Sequence, residues 1–199
     1  MASPVSICSN ALLMLGAQTI NSLEEATDRA RMASNLYAST RDSVQRSHPW
    51  NCCIKRVALS PDVTPPAFDW SFQFTLPPDY LKTLSVGETG LEDEFRIERG
   101  KLLSNNDPCL LRYIAKNAQE QTWDPMLVKG MELAMAAAMA YGITKSAALR
   151  DSMRQELEMH MKRARSVDGQ DDTPETLGDS PLLNARFGWG RGGNIWRGN

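Results

Sequence analysis

Histidine is scarce in this chain, two residues in 199, and cysteine is held to four. With only His48 and His160 available, a paired-histidine metal motif is excluded. One sits at a helix end and the other near the seam of a helix face, and neither setting is that of a general base. Cys8, Cys52, Cys53 and Cys109 match neither a zinc ribbon nor a C-x-x-C redox pair, so reduced core thiols are expected. A metal site joining His48 to the cysteine doublet fails on geometry, because neighbours on a strand point to opposite faces. The sequence also lacks a Walker loop and a serine nucleophile elbow. No catalytic, metal-binding or cofactor-binding residue is therefore assigned. An excess of one charge is missing too: the net charge of −2 exerts no global pull toward nucleic acid or anionic lipid. No apolar run reads as the ~20 residues that span a bilayer, and the N-terminus has neither the basic flank nor the apolar stretch of a signal peptide. Synthesis in the cytosol with no membrane partner is the expectation.

What is present reads as an α+β chain, mainly α. Ser3-Pro4 is an N-cap followed by proline at the first helical position, and Val5, Cys8, Leu12 and Leu15 recur at helical spacing up to Gly16. Ser22-Leu-Glu-Glu25 has the letters of a capping box and predicts the start of a second helix. Its stripe is Ala26, Ala30, Ala33, Tyr37, Thr40 and Val44, with Arg29, Arg31, Arg41 and Asp42 largely off it and solvated, and Pro49 stops it near His48. From Trp50 to about Asn117 the pattern changes to short strands: Cys52 to Leu59, Trp70 to Leu76, Phe95 to Glu98 and Leu110 to Ile114, with a hairpin turning at Arg99-Gly100. Prolines 61, 65, 66, 77 and 78 argue against long central strands. Glu92-Asp93-Glu94 reads as a solvated turn. Asp124-Pro125 opens a third, largely buried helix with Leu127, Met131, Ala134, Met135, Ala138 and Tyr141 in register, and a fourth carries Leu149, Met153, Leu157 and Met161 on one side. The expected architecture is a four-helix bundle with a small antiparallel β region inserted between helices 2 and 3, followed by an extended C-terminal arm. The boundaries are 1–49 for helices 1 and 2, 50–120 for the insertion, 121–166 for helices 3 and 4, and 167–199 for an acidic linker and docking arm.

The C-terminal stretch has a composition of its own. Residues 168–179 hold five acidic side chains and no basic one, whereas residues 182–199 hold three arginines and no acidic one. Gly188-Trp-Gly-Arg-Gly-Gly193 spells the dinucleotide fingerprint G-x-G-x-x-G, but six residues remain after it, too few for the helix whose N-terminus would meet a pyrophosphate. Arginine and glycine with interleaved aromatics also occur in single-strand-binding segments, for which three arginines are few. Protein docking fits best: Arg186, Phe187, Trp189, Arg191, Ile195 and Trp196 are the candidate contact residues, since aromatic residues and arginine dominate interface hot spots. Burying three aromatic rings of about 200 Å² at ~25 cal/mol/Å² yields roughly 15 kcal/mol gross. Ordering roughly 18 residues costs about 1–2 kcal/mol each. One arm alone binds weakly, and many arms on a ring bind well through effective concentration.

Several segments taken in order carry a family likeness. They are Ile7-Cys-Ser-Asn-Ala-Leu-Leu-Met-Leu-Gly16, Leu36-Tyr37, Arg41-Asp42, His48-Pro-Trp50, Leu76-Pro-Pro-Asp-Tyr-Leu81, Tyr113-Ile114 and Trp123-Asp-Pro125. Over about residues 5–165 the chain resembles the phage tail tubular protein A family, the head-to-tail adaptors of short-tailed phages. The cysteine doublet departs from the aromatic or small residue expected there. The resemblance implies a structural, non-enzymatic virion protein that forms a ring, usually of twelve copies, between the portal protein and the tail nozzle protein. DNA would pass through that ring without specific binding, and the arm would dock on the portal. A conduit should not grip phosphates, which the modest net charge suits. The alternatives are a tail-associated glycan- or cell-wall-processing enzyme and a nucleic-acid-binding module.

Overall fold

The computed structural model describes residues 2–88 and 91–168. Helix α1 (Pro4–Met14) starts as its sequence dictates, with the Ser3 hydroxyl accepting from the Ser6 amide at 3.1 Å and the Ser6 hydroxyl receiving the Ser3 amide at 2.9 Å. Gly16, at φ +70°, follows its end. Helix α2 (Asp28–Arg46) begins later than the Ser22 box predicts, capped by Thr27, whose hydroxyl accepts from the Ala30 amide at 3.2 Å. The predicted box does form hydrogen bonds, with Glu25 accepting from the Ser22 amide at 3.2 Å and Ser22 Oγ from the Glu24 amide at 3.1 Å. It closes one turn and no more, since the chain must still bend before Thr27. Arg41 and Asp42, expected to be solvated, are half-buried and paired at 2.9 Å, with Lys116 on the same carboxylate at 3.1 Å.

Among the described residues seven strands follow: β1 (Ile54–Leu59), β2 (Phe72–Thr75), β3 (Tyr80–Glu88), β4 (Leu91–Glu92), β5 (Phe95–Glu98), β6 (Lys101–Ser104) and β7 (Cys109–Ala115). They make two antiparallel sheets, one of order β1-β7-β3 extended by the two-residue β4, the other of order β2-β6-β5. The β5–β6 hairpin turns through Arg99 and Gly100, both at positive φ, the geometry of a two-residue primed turn. The nine-residue β3 lies inside its sheet, contrary to the expectation from the prolines. Pro77 and Pro78 precede the strand, where a missing amide hydrogen breaks no ladder bond. Register shifts after Tyr80 and after Thr83 break the alternation of β3: Tyr80, Thr83 and Val86 pair with Ala115, Tyr113 and Leu111 of the second core, between the sheets, while Leu81 and Leu84 join the helix-side core.

Helices α3 (Pro125–Thr144) and α4 (Ala147–Asp168) complete the described chain. Asp124 caps α3 by accepting from the Met126 amide at 2.7 Å, and Lys145 in the left-handed region turns the chain into α4. Helix α3 is the hub, packed against α1, α2 and α4. Ala138 and Tyr141 nevertheless point outward, Tyr141 at 53% exposure, because the three neighbours leave one strip of α3 uncovered. By length and composition α3 is apolar enough to cross a membrane, which the sequence reading overlooked, but 61% of its apolar window is buried inside the protein.

The expected four-helix bundle with a small β insert does not form. Helix α1 has 11 residues against 20 and 22 for α3 and α4, about half their length, so four helices cannot share one full-length core. The β region is no appendage, because Phe74, Val86, Leu102, Cys109, Leu111, Tyr113 and Ala115 form a buried cluster of their own between the two sheets.

Candidate functional site

Arg186, Phe187, Trp189, Arg191, Ile195 and Trp196, the residues predicted to dock, lie outside the described residues, as does the acidic linker beyond Asp168. Within the described chain two places gather polar groups.

The first is the junction of the helix layer with the first sheet. Asp168 is the last described residue of α4, and its buried carboxylate takes His48 Nε2 at 2.9 Å and the Asn51 amide at 3.4 Å. The His48 ring stands edge-on to Trp50, centroids 4.8 Å apart. With one nitrogen on a carboxylate, His48 resembles the base–orienter half of a triad. Among the described residues, however, no hydrogen bond joins its ring to a hydroxyl or thiol; what it does is tie α4 to the start of the β region. His160 likewise spends Nε2 on the Met126 carbonyl at 2.8 Å.

Cys52 and Cys53 belong to a 3₁₀ turn, not to the predicted strand, so their sulfurs lie together, 3.8 Å apart. The opposite-face premise used against a shared ion is therefore wrong for this doublet. Among the described residues, no third ligand-type side chain joins the pair. The hydrogen bond from Cys53 lowers the Cys52 thiol to about 7, against the opposing effect of burial, and the same bond and burial push Cys53 upward. Cys8 and Cys109 are driven up to about 12 and about 11 by burial. One thiol of the four is thus chemically set apart.

Buried amides and carboxylates hold the layers in place. Gln45 is fully buried, donating to the Asn117 carbonyl at 2.8 Å and accepting from the Asn117 amide at 3.1 Å. Asn117 in turn donates to the Cys52 carbonyl at 2.8 Å. Tyr37 donates to the buried Glu120 at 3.0 Å, and its phenol is raised by burial and then by that carboxylate. Asn10 reaches the buried Glu132 across α1 and α3 at 2.6 Å.

The second place is the part of the first sheet that the helices do not cover. Ile54 pairs with Ile114 where the helix core seals the sheet, but two residues along the same face Arg56 stands directly opposite Arg112, then Ala58 opposite Leu110. With Ser85 and Gly87 of β3 and the exposed Glu88, these residues line an open hollow of about 400 Å³. Like charges paired across strands repel. Neither arginine has a carboxylate within salt-bridge distance among the described residues, and Arg112 Nε is buried without a partner. The nearby lysines differ: Lys55 is paired with Asp79 at 2.5 Å and Lys116 with Asp42 at 3.1 Å. The sequence reading missed the arginine pair because it depends on strand register; the alternation of β1 and β7 was visible, but not that residues 56 and 112 are opposite. This arrangement can hold an anionic group.

No protein-family model matches the chain, and no curated protein matches it.

Proposed function

We propose that this chain is a structural head-to-tail adaptor of a phage virion, whose copies form a ring between portal and tail nozzle for DNA to pass through. The ordered segment likeness over about residues 5–165 motivates this reading. The observation that carries it is the placing of exposed apolar side chains on two different sets of elements. Leu13, Tyr141 and Met159, 53–61% exposed, lie on the helices, while Phe68, Phe95 and Ile97, 38–77% exposed, lie in the second sheet and the loop before it. A closed ring is built from heterologous contacts, in which one face of a subunit meets a different face of the next. Exposed apolar side chains on separate layers are contacts that such a pair of faces would use, and β5, an outer strand of its sheet, offers an unpaired backbone edge.

The docking arm completes the reading: Arg186, Phe187, Trp189, Arg191, Ile195 and Trp196 engage the portal only when many copies present them together. Electron microscopy of the purified protein, alone and with portal-bearing heads, tests the ring. Deleting residues 182–199 should leave the fold intact by circular dichroism while abolishing attachment to heads. Normal attachment of the truncated protein would refute the role of the arm, and a monomer that never assembles on portals would refute the adaptor reading.

A further inference from the structure

Two cations placed face to face, with no salt bridge to either among the described residues, describe half of an ion-pair site. Arg56 and Arg112 are register partners on β1 and β7, and Arg112 carries a buried guanidinium nitrogen that nothing satisfies among the described residues. A buried donor left unpaired is costly, and a planar guanidinium is built to take a carboxylate through two parallel hydrogen bonds. By position, the source of that carboxylate is the chain itself. Helix α4 is described as far as Asp168, and this point is fixed, because its carboxylate holds His48 and the Asn51 amide while the Asn51 side chain reaches the Asp168 carbonyl at 3.5 Å. Asn51 lies five residues before Arg56 on a path that enters β1, the outer strand of the first sheet. Five residues of extended chain span at most about 17 Å, and the three to seven residues from Asp168 to Asp171, Asp172 and Glu175 span about 10–25 Å. The side of the sheet is right as well. Ile54, Arg56 and Ala58 alternate onto one face, and Ile54's partner Ile114 belongs to the helix-side core. The arginines therefore lie on the side of the sheet from which α4 delivers the chain.

We propose that Arg56 and Arg112 receive the acidic segment 169–179 of the same chain, with carboxylates among Asp171, Asp172 and Glu175 on the guanidinium groups. The cations at the end of α4, Lys162, Arg163 and Arg165, are the competing partners. They are exposed, and helical side chains lean toward the helix N-terminus, away from a chain leaving the C-terminal end. Glu88 at the rim of the hollow disfavours surplus acid and limits how many carboxylates can enter. The contact is a property of the isolated subunit, so its failure would leave the adaptor reading standing.

Hydrogen exchange read by mass spectrometry on the full-length protein at low salt tests this. In the wild type, amides of 169–179 should exchange about tenfold more slowly than in the free peptide of the same sequence. Arg56→Gln/Arg112→Gln should bring them to the free-peptide rate without altering exchange in α3, and 0.5 M NaCl should do the same to the wild type. The charge-reversed pair Arg56→Glu/Arg112→Glu combined with Asp171→Lys/Asp172→Lys/Glu175→Lys should restore protection. Free-peptide exchange in the wild type would overturn the proposal. So would protection that survives the arginine substitutions but is lost in Lys162→Gln/Arg165→Gln, or protection that depends on protein concentration, which would assign the segment to a second copy.

Discussion

Gln45→Leu is the sharpest single test of how the two layers are held together. The side chain is fully buried, and its amide closes a two-point clamp on the backbone of Asn117, at 2.8 Å and 3.1 Å, just after β7 ends. Leucine matches the volume approximately and offers no donor or acceptor, so the Asn117 amide and carbonyl both lose their partner. Each orphaned group costs about 1–3 kcal/mol. Burying the more apolar leucine returns roughly 1 kcal/mol. The net expectation is a loss of about 2–4 kcal/mol, which for a chain of this size lowers Tm by roughly 5–15 °C. Urea denaturation followed by both circular dichroism and tryptophan fluorescence measures it, coincident transitions showing that the two layers still unfold together. Gln45→Glu is the companion variant: the introduced carboxylate can accept from the Asn117 amide but repels its carbonyl and is buried as a charge. It should therefore be worse than leucine at pH 7 and recover toward acid pH. A loss below about 0.5 kcal/mol for Gln45→Leu would refute the clamp.

Other perturbations have equally definite outcomes. Iodoacetamide at pH 7.5 should label Cys52 well before Cys8, Cys53 and Cys109, and peptide mass spectrometry would expose the reasoning as wrong if Cys53 or Cys109 reacted first. Asp79 is lowered below its usual 3.8: burial opposes this, but the bonds from Lys55 and Tyr113 outweigh it. A depressed carboxyl contributes stability above its unfolded pKa and loses it as pH falls through the folded value. The wild type should accordingly lose more stability between pH 6 and pH 3 than Asp79→Asn does; parallel denaturation curves would contradict the ion pair. Gly16→Ala introduces no clash, since nothing lies within 4 Å of the new carbon, yet φ +70° is strained for alanine. It should cost about 1 kcal/mol by urea titration.

Local signals were legible where the physics is local. Ser3-Pro4, Arg99-Gly100 and Asp124-Pro125 act through hydrogen bonds and φ values within a few residues, and each appears where the sequence places it. The Ser22 box shows the limit of this: its hydrogen bonds form, but whether a helix follows depends on where the chain must next turn, so Thr27 became the cap. Strand β3 was hidden because its two register shifts break the alternation that marks a half-buried strand, so that Tyr80, Thr83 and Val86, three residues apart, pair with Ala115, Tyr113 and Leu111.

By itself the sequence determined the helix starts at Pro4 and Pro125, the primed hairpin, the burial of most of α3 and the contrast between acidic linker and aromatic arm, because these follow from spacing, caps and composition. The tertiary structure alone decided that the chain builds two sheets with a core between them, that Gln45 closes on Asn117, and that Arg56 faces Arg112. Those outcomes depend on which distant segments become neighbours: 72 residues separate the clamp partners, and no periodicity within either segment encodes the other.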